Sequence, residues 1–305
     1  MNSEPSPCSA VIRAALRSGA VAAGFAEAGP LTEAETGIFD RWLAAGRHAG
    51  MDYMERYADL RADPRSLLDG TRSILSLAFP YAQPVRHPLF ADYALGEDYH
   101  TALRRILAPV AALMESSVPG SATRICIDTA PVRERVWAVR AGLGFIGLNN
   151  LLIVPGIGSK VFLAEILWTA AAEPSAPLPQ SRCEGCGACV RACLGGALDG
   201  CGGLDARRCL SYLTIEHRGP LPEALSLRGR RIYGCDVCQD VCPHNRVTPP
   251  PVPEAFVPSP ALLNLTLADA ASITDDSFRL LFRNSAVRRT KAAGLRRNAL
   301  FKLLG

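Results

Sequence analysis

Cys183-Glu184-Gly185-Cys186-Gly187-Ala188-Cys189-Val190-Arg191-Ala192-Cys193 is a Cys-x2-Cys-x2-Cys-x3-Cys run. With this spacing a tight loop points three thiolates at one iron-sulfur cube, and the fourth, on a following helix, reaches a neighbouring cube. A second run, Cys235-x2-Cys238-x3-Cys242-Pro243, repeats the logic, and Cys209 is the candidate for its missing ligand. By the ligand exchange of two-cluster ferredoxins, Cys183, Cys186, Cys189 and Cys242 are expected to hold one 4Fe-4S cluster, and Cys193, Cys209, Cys235 and Cys238 the other. Cys-x2-Cys pairs also build tetrahedral zinc sites, but two interleaved runs that each end in Cys-x3-Cys favour clusters. Leu194 stands where a proline usually follows the fourth cysteine, and Cys8, Cys126 and Cys201 read as ordinary thiols. Two neighbouring clusters make an electron path, so an external low-potential donor is expected at one end and a redox cofactor or substrate at the other.

Working outward, Pro174, Pro177 and Pro179 precede the module and Pro249 to Pro260 follow it, which bounds it at about 181–247. Upstream, residues 9–29 and 34–48 read as amphipathic helices, Arg72 to Ala78 as a strand and Tyr99 to Met114 as a helix. The predicted architecture is an α/β (α+β) domain over 1–175, a ferredoxin-like double-cluster domain over 176–250, and short basic helices over 251–305.

At 305 residues the chain is long enough for a large core and an appended module. Its eleven cysteines are crowded at metal-ligand spacing, which points to reduced or metallated thiols rather than a disulfide scaffold. The N-terminus lacks a basic leader, and no apolar run reaches the roughly 20 residues of a membrane span, so a cytoplasmic protein without membrane contact, and a monomer, is expected. Net charge is only +4, yet Arg279, Arg283, Arg288, Arg289, Lys291, Arg296, Arg297 and Lys302 crowd the C-terminal end. Such a run is either a solvated helix face or a phosphate-binding one.

Ala122 to Ile127 reads as a strand that ends at Asp128, and Pro131 as the opening of a helix that stops at Gly142. At that corner the Asp128 carboxylate either caps the helix or, in a desolvated pocket that raises its pKa, serves as a proton donor. Gly142-Leu143-Gly144-Phe145-Ile146-Gly147 matches the dinucleotide fingerprint letter for letter. The fingerprint needs a strand before it and a helix after it, whereas here a helix precedes and the strand-like Leu151 to Val154 follows, with Val161 to Trp168 beyond. The glycines are read instead as a tight turn or a place of close backbone approach to a planar ligand. Asp98-x-His100 lacks the glycine of the cobalamin-ligating Asp-x-His-x-x-Gly pattern, and His100 reads as a helix-entry residue.

Longer strings are specific enough to suggest a family. They include Gly50-Met51-Asp52-Tyr53-Met54, Arg61-Ala62-Asp63-Pro64-Arg65, Tyr93-Ala94-Leu95-Gly96, Asp128-Thr129-Ala130-Pro131 with Glu134-Arg135, Asp205-Ala206-Arg207-Arg208-Cys209, and Ile232-Tyr233-Gly234-Cys235-Asp236. With Ser211 to Glu216 and Ser285 to Arg289, they make the chain resemble epoxyqueuosine reductase, the cobalamin and iron-sulfur enzyme of queuosine tRNA modification. The resemblance implies a cobalamin-binding domain fused to the cluster module, with cobalamin bound without its lower base and reduced through the clusters. It implies Asp128 as proton donor and Arg56, Asp128, Leu152, Leu163, Ser211 and Asp236 around the cobalamin. The implied substrate is epoxyqueuosine at the wobble position of a tRNA anticodon stem-loop, with the basic C-terminal helices on phosphates. Leu148 stands where the family commonly has lysine and His244 where tryptophan often follows Cys-Pro; the chain stops at Gly305, short of the helical-repeat domain of longer relatives. The rival readings are a cobalamin and iron-sulfur reductase of a small molecule, as in reductive dehalogenases, and a ferredoxin-like electron carrier.

Overall fold

The computed structural model describes residues 7–84, 86–176, 178, 182–222 and 229–304. The expected linker residues Pro177 and Pro179 and the N-terminal tail up to Ser6 lie outside the described residues. The first half is built on a four-stranded sheet in which every neighbouring pair is antiparallel, which makes it an α+β rather than a parallel α/β arrangement. In chain order the strands are β1 (Ala22–Glu27), β2 (Ser73–Pro80), β3 (Thr123–Cys126), β4 (Phe145–Ile146), β5 (Leu152–Ile153) and β6 (Val161–Trp168). The sheet order is β1-β2-β6-β3, and β4 with β5 forms a separate small hairpin. Helices of this half are α1 (Pro7–Arg17), α2 (Glu33–Ala44), α3 (Asp52–Arg56), α4 (Ala58–Ala62), α5 (Tyr99–Ser117) and α6 (Glu134–Arg140).

Every residue of β2 is buried, because both faces of the sheet are covered. Leu75, Leu77 and Phe79 pack with Val11, Leu103 and Leu107 of α1 and α5 on one face. The alternate residues Ile74 and Ala78 pack with Trp137 and Ala138 of α6 on the other. This period-2 division explains an unbroken apolar run in an antiparallel strand. The helix expected over 9–29 ends at Arg17, and residues 22–27 pair with β2 instead. Ala22, Ala23 and Ala26 carry a helical pattern, but the open edge of β2 recruits them, and tertiary pairing outweighs local propensity.

The cysteine segment contributes α7 (Ala188–Ala192), α8 (Leu210–Ile215) and α9 (Val237–Asp240). It is fastened to the sheet by a buried ion network. Lys160, just before β6, places Nζ 2.5 Å from Asp92 and 2.7 Å from Asp240, and Arg231 lies 2.8 Å from Asp236. Beyond it come α10 (Pro260–Leu263), α11 (Leu267–Ser272), α12 (Asp275–Leu281) and α13 (Lys291–Leu304). These helices share a core with Leu89, Phe90, Leu95, Ile232 and Tyr233, so the C-terminal segment packs onto the first half and the cysteine segment together.

Candidate active site

Asp128 follows β3 with a backbone φ of 46°, in the left-handed region where a non-glycine residue is strained by on the order of 1–2 kcal/mol. It caps nothing. The helix begins at Glu134 rather than at Pro131, and its N-terminal flanking residue Arg133 makes no side-chain cap. The relation runs the other way: the Asp128 backbone N–H donates to Glu134 Oε1 at 2.6 Å, so a side chain from the first turn of α6 holds the aspartate loop. Helix α6 is itself anchored to α2, where Glu35, half of a capping box with Thr32, accepts from Arg140 and where the Glu35 carbonyl accepts from Arg133.

The Asp128 side chain carries two donors on one oxygen. Tyr99 Oη donates to Oδ2 at 2.6 Å and His100 Nε2 lies 3.0 Å from the same atom, while His100 Nδ1 lies 2.8 Å from Asp98 Oδ1. Asp98 also accepts the His100 backbone N–H as the N-cap of α5, so the helix-entry reading of this pair is correct but incomplete. Tyr99 stacks on His100 and on Phe162 of β6, at centroid distances of 4.1 and 4.5 Å, which fixes both rings.

Protein surrounds Asp128 closely enough that desolvation is the largest influence on its pKa, and yet 54% of its side chain is open: the group sits in a recess that a ligand can reach. Burial works to raise its pKa, but the His100 and Tyr99 hydrogen bonds and the positive charges of His100 and Arg289 outweigh it and hold the carboxyl below its usual range. The raised pKa expected of a desolvated Asp128 is thus not found. It belongs to Glu134, pushed up to about 8 by burial and by the Asp128 charge. Burial opposes the charge on His100, but its bonds to Asp128 and Asp98 prevail and lift it to about 9. At neutral pH the recess therefore holds an aspartate, a neutral glutamic acid and an imidazolium. Tyr53, Arg61 and Arg289 act on Asp128 through its charge; Arg289 also bonds Glu216 at 2.8 Å and lies 5.5 Å over the Tyr53 ring.

Cys183, Cys186, Cys189 and Cys242 line one cavity together with Leu148, Asn149 and His244. His244 meets the Phe145 ring edge-on at 5.4 Å. Cys189 and Cys242 each feel the Cys183 charge, whereas Cys238 feels Cys235, Cys209 and Cys193. Cys183, Cys186, Cys189 and Cys242 thus share one cavity, and Cys193, Cys209 and Cys235 lie close enough to Cys238 to raise its pKa. Burial, and then the other thiols of the same group, push Cys189 and Cys238 up, so four thiolates crowd together stably only around a cationic centre. Backbone N–H groups of the following residues point at Cys209 and Cys242, each at the mouth of a short helix. Left-handed Gly185 and Gly187 turn the loop between Cys183 and Cys189.

The remaining residues of interest are spread out. Leu152 and Leu163 meet in the core on the α6 face of the sheet. Arg56 is exposed at the end of α3, and Ser211 is half-buried on α8. Asp236 is buried in the ion network, where it also accepts the Asp92 N–H. Gly144 lies close against the Ile153 carbonyl, and the Gly142 to Gly147 stretch runs from a helix into a strand, as its rejection as a dinucleotide site requires. Of the basic C-terminal residues, Arg296 and Arg297 are spent on Ile273, Leu213, His217 and Gly219 carbonyls; Arg279 and Arg289 are exposed but paired with Asp276 and Glu216, and Arg283, Arg288 and Lys291 are exposed as well.

Residues 182–245 match the 4Fe-4S double cluster binding domain, and residues 61–129 match the family model for epoxyqueuosine reductase QueG (DUF1730). Fold and cysteine geometry thus define an iron-sulfur oxidoreductase of the double-cluster type. The chain is 35% identical to the epoxyqueuosine reductase of Cellulophaga algicola across 99% of both chains, and 40% identical to that of Gloeobacter violaceus across 85% of this chain and 83% of that one. It belongs to the epoxyqueuosine reductase family. A crystal structure of epoxyqueuosine reductase with an epoxyqueuosine-modified tRNA stem loop is 29% identical and superposes with a TM-score of 0.87, over 96% of this chain and 80% of that one. The Bacillus subtilis enzyme superposes with a TM-score of 0.88 at 28% identity over the same shares.

Proposed function

We propose that this protein reduces epoxyqueuosine to queuosine at the wobble position of tRNA, drawing electrons from an external low-potential donor through two 4Fe-4S clusters. The observation that carries the reading is Asp128: a charged, strained, reachable carboxylate with His100, Tyr99 and Glu134 around it, in a chain of the epoxyqueuosine reductase family that also gathers eight thiols in two groups. Removing an epoxide oxygen as water and leaving an alkene consumes two electrons and two protons. The clusters deliver electrons singly, and the recess is built to hold protons.

Cys183, Cys186, Cys189 and Cys242 would ligate one cluster and Cys193, Cys209, Cys235 and Cys238 the other. Cobalamin fits the chain on three counts. Arg61 Nη1 and Asn149 Nδ2 are buried donors without a protein partner, and the amide side chains of a corrin offer acceptors. Leu163 is only partly buried and leaves some apolar surface, whereas Leu152 is buried in the same core, and both His100 nitrogens are committed to carboxylates, which agrees with binding that uses no histidine ligand. Bound cobalamin would supply the two-electron reduction at carbon. Arg56, Ser211 and Asp236 join the expected contacts, with Asp236 acting through Arg231 rather than directly. In this reading residues 1–175 carry the corrin, 176–250 the clusters, and the exposed Arg283, Arg288 and Lys291 of 251–305 face tRNA phosphates.

The test is anaerobic reconstitution with iron, sulfide and cobalamin, addition of a low-potential reductant and epoxyqueuosine-containing tRNA, and mass spectrometry of the digested nucleosides. Queuosine appears if the reading is right. Cobalamin binding and full iron loading without conversion would reject the tRNA substrate in favour of a small-molecule reductase.

A further inference from the structure

The established chemistry of a deoxygenation leaves open where its two protons come from, and the recess answers this with geometry. Asp128 Oδ2 already accepts from Tyr99 at 2.6 Å and faces His100 Nε2 at 3.0 Å. An oxygen with donors on both sides is a carboxylate oxygen, not the hydroxyl of a carboxylic acid. Against the pull of burial, the same two bonds and the His100 and Arg289 charges hold its pKa below the usual carboxylate range, so Asp128 is ionised at neutral pH and has no proton of its own to give. Tyr99 is nearer, but burial and the Asp128 charge raise its pKa far too high for it to give up its proton, so the transferable proton beside Asp128 is on His100, whose other nitrogen is fixed by Asp98 Oδ1 at 2.8 Å.

We propose that His100, clamped between Asp98 and Asp128, is the proton store of the recess: it recharges Asp128, which hands the proton to the departing epoxide oxygen, and it refills from solvent for the second proton. This rests on the reading of the recess as the site of epoxide reduction. In the first transfer the Nε2–H bond breaks and an O–H bond forms on Asp128. The carbon–oxygen bond of the epoxide then breaks, its oxygen takes that proton, and the electrons come from the external low-potential donor by way of the clusters. What remains on His100 is a neutral ring whose Nδ1–H still points at Asp98, which fixes the tautomer and leaves Nε2 open to a new proton. The ring is 27% exposed, enough for solvent to refill it. The second proton follows the same route: the remaining carbon–oxygen bond breaks, the hydroxyl takes that proton and leaves as water, and the two electrons from the donor become the second bond of the alkene.

The titratable and charged groups facing this pair come from five elements. Asp98 lies at the head of α5, Glu134 on α6, Arg61 on α4 and Tyr53 on α3, and Arg289 reaches in from the segment before α13. Glu134, neutral at pH 7, gains its charge near pH 8, so His100 titrates near pH 9 beside a charged Glu134 as well as the fixed charges of the arginines. His100 touches no substrate in this scheme and is a positioning and proton-supplying residue; Asp128 is the catalytic one.

The experiment has two readings on one set of proteins: wild type, Asp98→Asn and His100→Gln, each loaded with clusters and cobalamin. Histidine labelled with 13C at Cε1 gives five ring signals, and His100 is the one missing in His100→Gln. In the wild type without substrate it should titrate near pH 9, and in Asp98→Asn at least one pH unit lower. Single-turnover conversion is then followed from pH 6 to 10. The alkaline limb of the wild type should coincide with the His100 midpoint and move down with it in Asp98→Asn; His100→Gln should be slower by roughly 100-fold or more and lose that limb, with cluster absorbance and tRNA affinity unchanged. An ordinary histidine midpoint in the wild type overturns the proposal whatever the substrate. So does a rate limb that stays in place while the Asp98→Asn midpoint moves, or wild-type speed in His100→Gln. A His100 that titrates near pH 9 in a wild type that converts no epoxyqueuosine instead overturns the functional reading, and proton delivery to an epoxide with it.

Discussion

Two clusters of charge lie inside this molecule and are built on opposite plans. In the network of Lys160, Arg231 and Arg86 with Asp92, Asp236 and Asp240, three cations meet three carboxylates. The Lys160 and Asp92 side chains are only 6% and 1% exposed. In the Asp128 recess a strained aspartate is more than half open, an arginine nitrogen at Arg61 has no partner, and one imidazolium is shared between two carboxylates. The first balances its charges and is closed around Lys160 and Asp92, as a structural clamp between the sheet and the cysteine segment must be, although Asp92 Oδ1 keeps no hydrogen bond. The second keeps charge and hydrogen-bonding capacity in reserve, as a binding recess must.

The sharpest break of this comparison is to remove one group from each. Asp128→Asn should lower epoxyqueuosine conversion by about 100- to 10,000-fold while the melting temperature stays within a few degrees of wild type, measured by nucleoside mass spectrometry and calorimetry. Lys160→Met should do the reverse. It leaves Asp92 and Asp240 without their shared cation, and breaking a buried pair costs about 3–5 kcal/mol, so the urea midpoint should fall steeply. Equal stability losses in the two variants would erase the distinction between recess and clamp.

A smaller effect is expected from pH. His100 has a folded pKa of about 9, above its unfolded value, so the stability it contributes is complete below about pH 6.5 and is lost as pH rises toward 9. Glu134 acts in the same direction over a lower window: its folded pKa of about 8 lies above the ordinary value of 4.5, so the stability tied to its proton falls from about pH 4.5 and is fully lost above about 8. Urea titrations should show stability falling between pH 7 and 9, with a slope of up to about 1.4 kcal/mol per pH unit for each proton. The slope should be reduced in His100→Gln. The smallest effects separate the C-terminal arginines. Arg288→Ala should weaken tRNA binding and reduce its salt dependence by about one ion without changing stability, since Arg288 is exposed. Arg297→Ala, which strips hydrogen bonds from three carbonyls of the α8 region, should cost on the order of 1–3 kcal/mol of stability instead.

Much of this was legible because it is local in the chain. Thiolate spacing around a cube is set by a few consecutive residues, so the cysteine runs could be read as they stand, and residues 182–245 match a 4Fe-4S double cluster binding domain. The same holds for β6, found at Val161–Trp168 as expected, and for the corner that presents Asp128. The errors came where a partner decided the outcome. Residues 22–27 carry a helical pattern and became a strand because β2 offered an unpaired edge. Pro131 reads as a helix start, but α6 begins three residues later, where the Glu134 side chain holds the aspartate loop folded back onto it.

His100 shows the division most clearly. The sequence by itself determined that it follows an N-cap aspartate at the entrance of a helix, because capping is a contact between residues two apart. That its other nitrogen meets Asp128, 28 residues away, was decided only when β3 aligned beside β6 and carried the loop to the head of α5. Ionisation follows the same boundary. Which groups can titrate is written in the chain, but their charge at neutral pH depends on desolvation and on neighbours that only the packed structure brings within a few ångströms.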